Sequence, residues 1–384
     1  MKILTNIRFA QTAGIAQTLG CFLDFVRKNK SLGIEVIGVN IMDSKKNFYR
    51  KNKKDNVSII SMGINVPNIK NAVAGSKNIK DVEVRYANVI ESYQEIIRKE
   101  NPDLILVNGT YYIPWCLFMA AKKESVPVVL HYHGVLTLET KNWPAKETKI
   151  FREMEQSFDK KSLFYIFPSN ITKKVVEKEI YKHKIKNSVT IPNPVPLHFF
   201  KNKKLSNAVN IGIVSRWASI KNTDFCEALA EYNKTNGGKF KINIITDLEK
   251  SDKRYKKISK IAKIHPACEN KELINFYKNM GIIISPSHFE TYGNVAKEAL
   301  ASGVPAMVSK NMGVSETFKK LGLHKWVIDF DSVENVYAKI EKIIGTAVEN
   351  KTRNKIKNSY SPEKIFSATI SVLKLASENA QTLN

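Results

Sequence analysis

The sequence predicts an α/β protein built of two doubly wound, Rossmann-like domains facing across a cleft. Three observations predict it. The 384 residues exceed what one ordinary core organises. Short Val/Ile/Leu runs alternate with helical patterns, which marks a buried parallel sheet covered by helices on both faces. After the proline-rich stretch IPNPVPLHFFKNKKLSNA (191–208) the same plan starts again.

In the first half the expected strands are KILTNI (2–7), IEVIGVN (34–40), VSIIS (57–61), DLILVN (103–108), VPVVLHYH (126–133) and LFYIFPS (163–169). Helical patterns such as AQTLGCFLDFVRK (16–28) and ANVIESYQEIIRKE (87–100) lie between them. In the second half, strands are expected at NIGIVSR (210–216), FKINIIT (240–246), GIIISP (281–286) and PAMVS (305–309). Helices near 223–235, 252–263, 270–279 and 294–302 separate these. The domains therefore run 1–192 and 193–360, and a last helix, about 361–384, returns to the first domain after Ser361-Pro362.

The apolar fraction of 43% is that of a globular chain. The opening MKILTNIRF has neither the apolar core nor the cleavage site of a signal peptide. The most apolar stretch, DLILVNGTYYIPWCLFMAA (103–121), is broken by Asn108, Gly109 and Pro114, so no spanning helix is expected. Cys21, Cys116, Cys226 and Cys268 are scattered, read as reduced cytosolic thiols, and no metal site is expected. The net charge is +25. Residues 1–200 hold 31 basic against 18 acidic side chains, and the rest 30 against 18, so the excess is not a tail. It fits a plain lysine-rich surface, an anionic membrane face, an anionic substrate or nucleic acid.

Open α/β sheets bind ligands just beyond the carboxyl ends of their strands. Gly14, after the first strand, is either a simple loop glycine or the place where backbone N–H groups approach a phosphate. Of the histidines in VPVVLHYHG (126–134), His131 is expected in the core and His133 at the strand end, free to bond a sugar hydroxyl or phosphate. Arg216 and Lys221 flank a strand-to-helix turn and can clamp a diphosphate, one as a fork and one as a point charge. In HFETYGNVAKEALASGVPA (288–306), Glu290 precedes a glycine turn and Glu298 stands one turn into the next helix. Asn294 is the expected cap of that helix. The N–H groups of Tyr292, Gly293, Asn294 and Val295 then face a ligand. Glu298 can accept both hydroxyls of a ribose.

Together these stretches resemble the retaining GT-B glycosyltransferases of the large family-four group. Their E-x7-E hallmark reads here Glu290-Thr-Tyr-Gly-Asn-Val-Ala-Lys-Glu298-Ala-Leu-Ala-Ser-Gly303-Val-Pro305. The G-R-x4-K exit appears as Ser215-Arg216 and Lys221, I-P-N-G-V as Ile191-Pro-Asn193-Pro-Val195, and His-Gly as His133-Gly134. Asn311-Met312-Gly313-Val-Ser-Glu316 matches the G-G-x-x-E motif in part. Ser215 stands where glycine is usual, and Ala13-Gly14 replaces paired glycines.

The resemblance implies transfer, with retention, from a UDP- or GDP-type nucleotide sugar, and no separate cofactor. By it, Arg216 and Lys221 stabilise the departing diphosphate, and Glu298 holds the ribose. Glu290 with the Tyr292–Asn294 amides holds the sugar, and His133 contacts it near the reacting bond. The implied acceptor is a glycan or lipid-linked molecule of the cell envelope, met at the cytoplasmic side of a membrane. A base wall is expected in IHPACENKE (264–272). Nucleic acid or protein as acceptor is less favoured, because no nucleic-acid module is visible. A non-catalytic nucleotide-sugar binder is the remaining alternative.

Overall fold

The computed structural model describes residues 1–8, 14–201 and 209–381. They form two compact units, and the chain passes from the first to the second after Ile191 and back after Ile365.

The first unit is built on β1 (Lys2–Asn6), β2 (Glu35–Asp43), β3 (Phe48–Lys54), β4 (Val57–Ile64), β5 (Leu104–Asn108), β6 (Val128–His131), β7 (Phe164–Phe167) and β8 (Ser188–Thr190). Among the described residues they order β3-β4-β2-β1-β5-β6-β7-β8. Every pairing is parallel except β3 on β4. The middle strands are the apolar runs of the sequence, with Ile3, Leu4, Leu104, Ile105 and Val107 all at 0% exposure. Each such side chain contributes about 1.5–3 kcal/mol.

β3 was not expected; its residues read as the basic block KKNFYRKNKK (45–54). It is an edge strand whose side chains past Phe48 are exposed, and lysines on an edge discourage pairing with another chain. Lys51 also reaches Glu100 at 2.6 Å, and Lys53 reaches Glu35 at 2.9 Å. The last helix, Pro362–Gln381, packs on this unit from Phe366 onward. The Phe366 ring lies 5.4 Å from Phe22 and 5.7 Å from Phe25, and Lys374 donates to the Leu32 carbonyl.

The second unit contains β9 (Asn210–Val214), β10 (Lys241–Thr246), β11 (Lys263–Pro266), β12 (Ile282–Ser285), β13 (Ala306–Ser309) and β14 (Val327–Ile328). Their order is β11-β10-β9-β12-β13-β14, parallel throughout. β11 and β14 escaped the sequence reading, the first because KIHP mixes charge with apolar residues, the second because it has two residues. The expected helix 252–263 ends at Ile258, and the chain then turns into β11. Strand order reverses between β9 and β12, and such a switch point opens a crevice at the carboxyl ends of the strands.

Candidate active site

The exits of β9 and β12 meet at that switch point. Lys221 ends the short turn Ser219–Lys221 beyond β9, and Glu290 lies in the loop beyond β12. Lys221 Nζ stands 2.8 Å from Glu290 Oε1, and the Ser287 hydroxyl donates to the same oxygen at 2.8 Å. The loops are stitched by their backbones: the His288 N–H donates to the Ile220 carbonyl at 2.9 Å, and the Asn222 amide reaches the Pro286 carbonyl. The two charged side chains are 17% and 21% exposed. A pair with that much solvent contributes about 1 kcal/mol, so an anionic ligand can compete with Glu290 for the ammonium. Arg216 lies in the same exit, with its side chain exposed. Its carbonyl accepts from the Ala218 N–H and the Ser215 hydroxyl, which fixes the turn.

Beyond Glu290 the chain turns at Gly293, whose φ is +104°. The conformation favours glycine, and a Cβ there would also press on its neighbours, standing 2.6 Å from Met312 Cε and 3.2 Å from Val314 Cγ1. The helix Asn294–Ala301 follows. Asn294 was the expected cap, but it is the first helical residue and Gly293 occupies the cap position, with no side-chain cap bond. The reason is a long-range partner: the Asn294 side-chain oxygen Oδ1 accepts from the amide of Asn193 at 3.0 Å instead. The early N–H groups of this helix, including Val295, thus have no capping side chain, and its dipole favours an anion. Tyr292 is buried, its hydroxyl 2.9 Å from Thr317 Oγ1 and its carbonyl bonded to the Val314 N–H. Glu290 is held likewise, its carbonyl accepting from the Gly313 N–H at 3.0 Å. Hence the partly matched Asn311–Glu316 segment props the loop from behind. Glu298 is 5% exposed, and the Tyr277 hydroxyl donates to its Oε2 at 3.1 Å. That bond orients the carboxylate and leaves acceptor capacity on it.

In the first unit, β6 ends at His131, so His133 lies in the exit loop and not on the strand as expected. The ladder runs one residue further, through the Tyr132 N–H to the Ile166 carbonyl, and then parts. His133 Nε2 lies 3.1 Å from Asn108 Oδ1 and its ring 4.1 Å from that of His131. Burial pushes the His133 imidazole down to about 4, so it is neutral at pH 7. His131 is likewise held well below its usual range by burial and by His133, and its buried Nε2 meets no partner among the described residues. A Cβ at Gly134 would lie 2.4 Å from Glu139 Oε1, so a larger residue there would displace the end of that side chain. Gly14 opens the helix Gly14–Lys28; residues 9–13 of its loop lie outside the described residues.

Comparison with known proteins places this geometry in a family. Residues 194–361 match the family described as glycosyl transferases group 1, and residues 53–199 match glycosyltransferase family 4. Both matches are to glycosyltransferase families, and together they span residues 53–361. A Staphylococcus aureus relative, the capsular polysaccharide biosynthesis glycosyltransferase CapM, is 30% identical over 98 residues, 24% of this chain and 26% of that one. The match thus spans about a quarter of the relative's length.

Across the whole chain the likeness to solved structures is one of fold. Sucrose-phosphate synthase from Thermosynechococcus elongatus superposes with a TM-score of 0.74 at 12% identity, covering 98% of this chain and 99% of that one. A trehalose-6-phosphate protein from E. coli bound with UDP-2-fluoro glucose gives 0.69 at 14%, covering 97% and 99%. The two doubly wound units therefore have the GT-B fold.

Some residues of this candidate site carried no mark in the sequence. Ser287 and Tyr277 had no motif to mark them. Lys297 did carry a signal: it sits three and four residues from Leu300 and Ala301, on the apolar face of its helix. It is 0% exposed. Beside the Arg216 turn, a hollow of about 310 Å³ is lined by Trp217, Asp247, Glu249, Asp252 and Arg254, off the β10 exit. The stretch 264–272, the expected base wall, begins inside β11, where His265 Nε2 meets Asn243 Oδ1 at 3.1 Å. Among the described residues no helix is long and apolar enough to cross a membrane.

Proposed function

We propose that this glycosyltransferase moves a sugar, with retention, from a UDP- or GDP-type nucleotide sugar to a glycan or lipid-linked acceptor of the cell envelope. The observation that carries the reading is the Lys221–Glu290 contact at the strand-order switch point. A cation and a carboxylate there sit beside an uncapped helix N-terminus, and the three together match a diphosphate joined to a hydroxyl-rich sugar. The E. coli fold neighbour holds UDP-2-fluoro glucose, and the S. aureus relative is a capsular polysaccharide enzyme; both are in keeping with it.

In this reading Arg216 and Lys221 bind the diphosphate and stabilise the charge that develops as it leaves. The N–H groups of Gly293, Asn294 and Val295 add to that field. Glu290 accepts sugar hydroxyls, and Glu298, oriented by Tyr277, accepts those of the ribose. His133, neutral, bonds a sugar hydroxyl. The bond from the anomeric carbon to phosphate oxygen breaks as the bond to the acceptor oxygen forms on the same face. The acceptor's proton passes to the departing phosphate, so no protein nucleophile is invoked. We further propose peripheral attachment to an anionic membrane surface through the exposed lysines.

The test is nucleoside diphosphate release over a panel of UDP- and GDP-sugars, with the product's anomeric configuration read by NMR. Release from one donor with retention supports the reading. Inversion would remove the same-face step, and a panel without turnover or binding would remove the donor site.

A further inference from the structure

Lys297, within the segment between the two glutamates, is a buried cation with no carboxylate in ion-pair contact among the described residues. Its surroundings are built from three separate stretches of the second unit. Nζ donates to the backbone carbonyl of Asn193 and, at 2.7 Å, to the Tyr292 hydroxyl. It also lies over two aromatic faces, 4.2 Å from the Tyr292 centroid and 4.5 Å from that of Tyr360. Carbonyl, hydroxyl and ring faces are the neutral groups that can hold a desolvated ammonium.

Each of these stretches is itself pinned. Asn193 stands between Pro192 and Pro194, and a residue before proline is restricted to extended conformations, which fixes the direction of its carbonyl. The Val195 N–H donates to the Tyr360 carbonyl at 2.7 Å, which joins the first and third stretches. The Asn193 amide bonds Asn294, the first residue of the donor-facing helix. Asn193 and Tyr360 lie close in sequence to the points where the chain enters and leaves the unit. Lys297 therefore ties both of these to the turn Tyr292–Asn294.

We propose that Lys297 is a positioning residue for the diphosphate: through Asn193, Tyr292 and Tyr360 it fixes the first turn of the helix Asn294–Ala301. This rests on the donor-site reading above. Lys297 touches no substrate itself. A replacement such as Lys297→Met keeps the length and apolar stem but removes both donated hydrogen bonds and the charge. The turn then gains freedom, and binding an anion must order it again.

The experiment has three arms, run on the full chain. Calorimetry with UDP and GDP compares wild type, Lys297→Met and Tyr292→Phe; Tyr292→Phe removes only the hydroxyl and serves if Lys297→Met does not fold. The expected losses of affinity are about tenfold for Lys297→Met and about threefold for Tyr292→Phe, with the double variant no weaker than Lys297→Met alone. Hydrogen exchange then reads the amides of 292–298, which should exchange at least tenfold faster in the variants while β9 and β12 stay protected.

The third arm repeats the wild-type and Lys297→Met affinities from pH 5.5 to 9.5. Burial holds the Lys297 ammonium well below its usual range, opposed by neighbouring Glu298, with the Tyr292 and Tyr360 rings facing it. The advantage of wild type should fall as pH rises, because a neutral amine holds its acceptors less strongly. A purely structural lysine would lower the melting temperature and leave affinity and its pH profile unchanged; that result overturns the proposal. If wild type binds neither nucleotide, the donor reading fails, and the exchange arm alone decides whether Lys297 fixes the turn.

Discussion

Replacing Glu155 by glutamine probes the loop that presents His133. Glu155, in the helix Ala145–Gln156, is 0% exposed. Its carboxylate accepts from the Leu136 N–H at 3.0 Å, the Thr137 N–H at 2.9 Å and the Thr137 hydroxyl at 2.7 Å. These donors begin the short helix Leu136–Glu139, which follows His133 and Gly134 directly. Burial pushes the carboxyl up to about 7, against the pull of the Thr137 and Leu136 donors and with a small push from Glu139. Because the folded value lies above the usual 4.5, the native state holds a proton that the unfolded chain has lost between those two values. Stability from this group is therefore fully present below about pH 4.5 and lost as pH rises to about 7. A shift of that size corresponds to about 3 kcal/mol.

Glutamine keeps the shape and the acceptor for Thr137 but does not titrate. Urea denaturation followed by circular dichroism from pH 4.5 to 7.5 should show wild type losing about 3 kcal/mol more than Glu155→Gln across that range. Parallel curves would show that Glu155 is ionised throughout, and the reasoning from burial would fail.

Three further outcomes are expected. Lys221→Ala should weaken UDP or GDP binding by about 10- to 150-fold, the value of one charge-assisted hydrogen bond, while thermal melting shifts little; unchanged affinity by calorimetry would remove the lysine from the phosphate site. Gly293→Ala should cost about 2–4 kcal/mol by urea titration, from its positive φ and the contact with Met312. The control Gly237→Ala, also at positive φ but with nothing within 4 Å, should cost about 1 kcal/mol; equal costs would show that Met312 simply moves aside. Co-sedimentation with anionic vesicles should fall steeply between about 50 and 500 mM salt and be absent with neutral vesicles; salt-independent behaviour would sink the membrane proposal.

The sequence was legible where one physical signal dominated. Central strands such as β5 and β12 are buried on both faces, so LILVN and IIIS stand out as apolar runs between turn residues. β3 was hidden because an edge strand needs no apolar face, and its lysines read as charge alone. In the site, Glu290, Gly293 and Glu298 were visible because a glycine turn before a helix has a fixed spacing. Asn294 was misassigned as a cap because its real partner, Asn193, is 101 residues away. Lys297 left only a partial signal, a lysine on an apolar helix face, because two of its partners, Asn193 and Tyr360, come from distant parts of the chain. Local propensity does not contain such long-range partners.

The central claim is that the β9 and β12 exits form a nucleotide-diphosphate site, and calorimetric titration with UDP and GDP tests it most directly. Wild type should bind at least one of them in the micromolar to low-millimolar range, with the affinity of Arg216→Ala and Lys221→Ala reduced at least tenfold. Failure of folded wild type to bind either nucleotide, or equal binding by all three proteins, would contradict it.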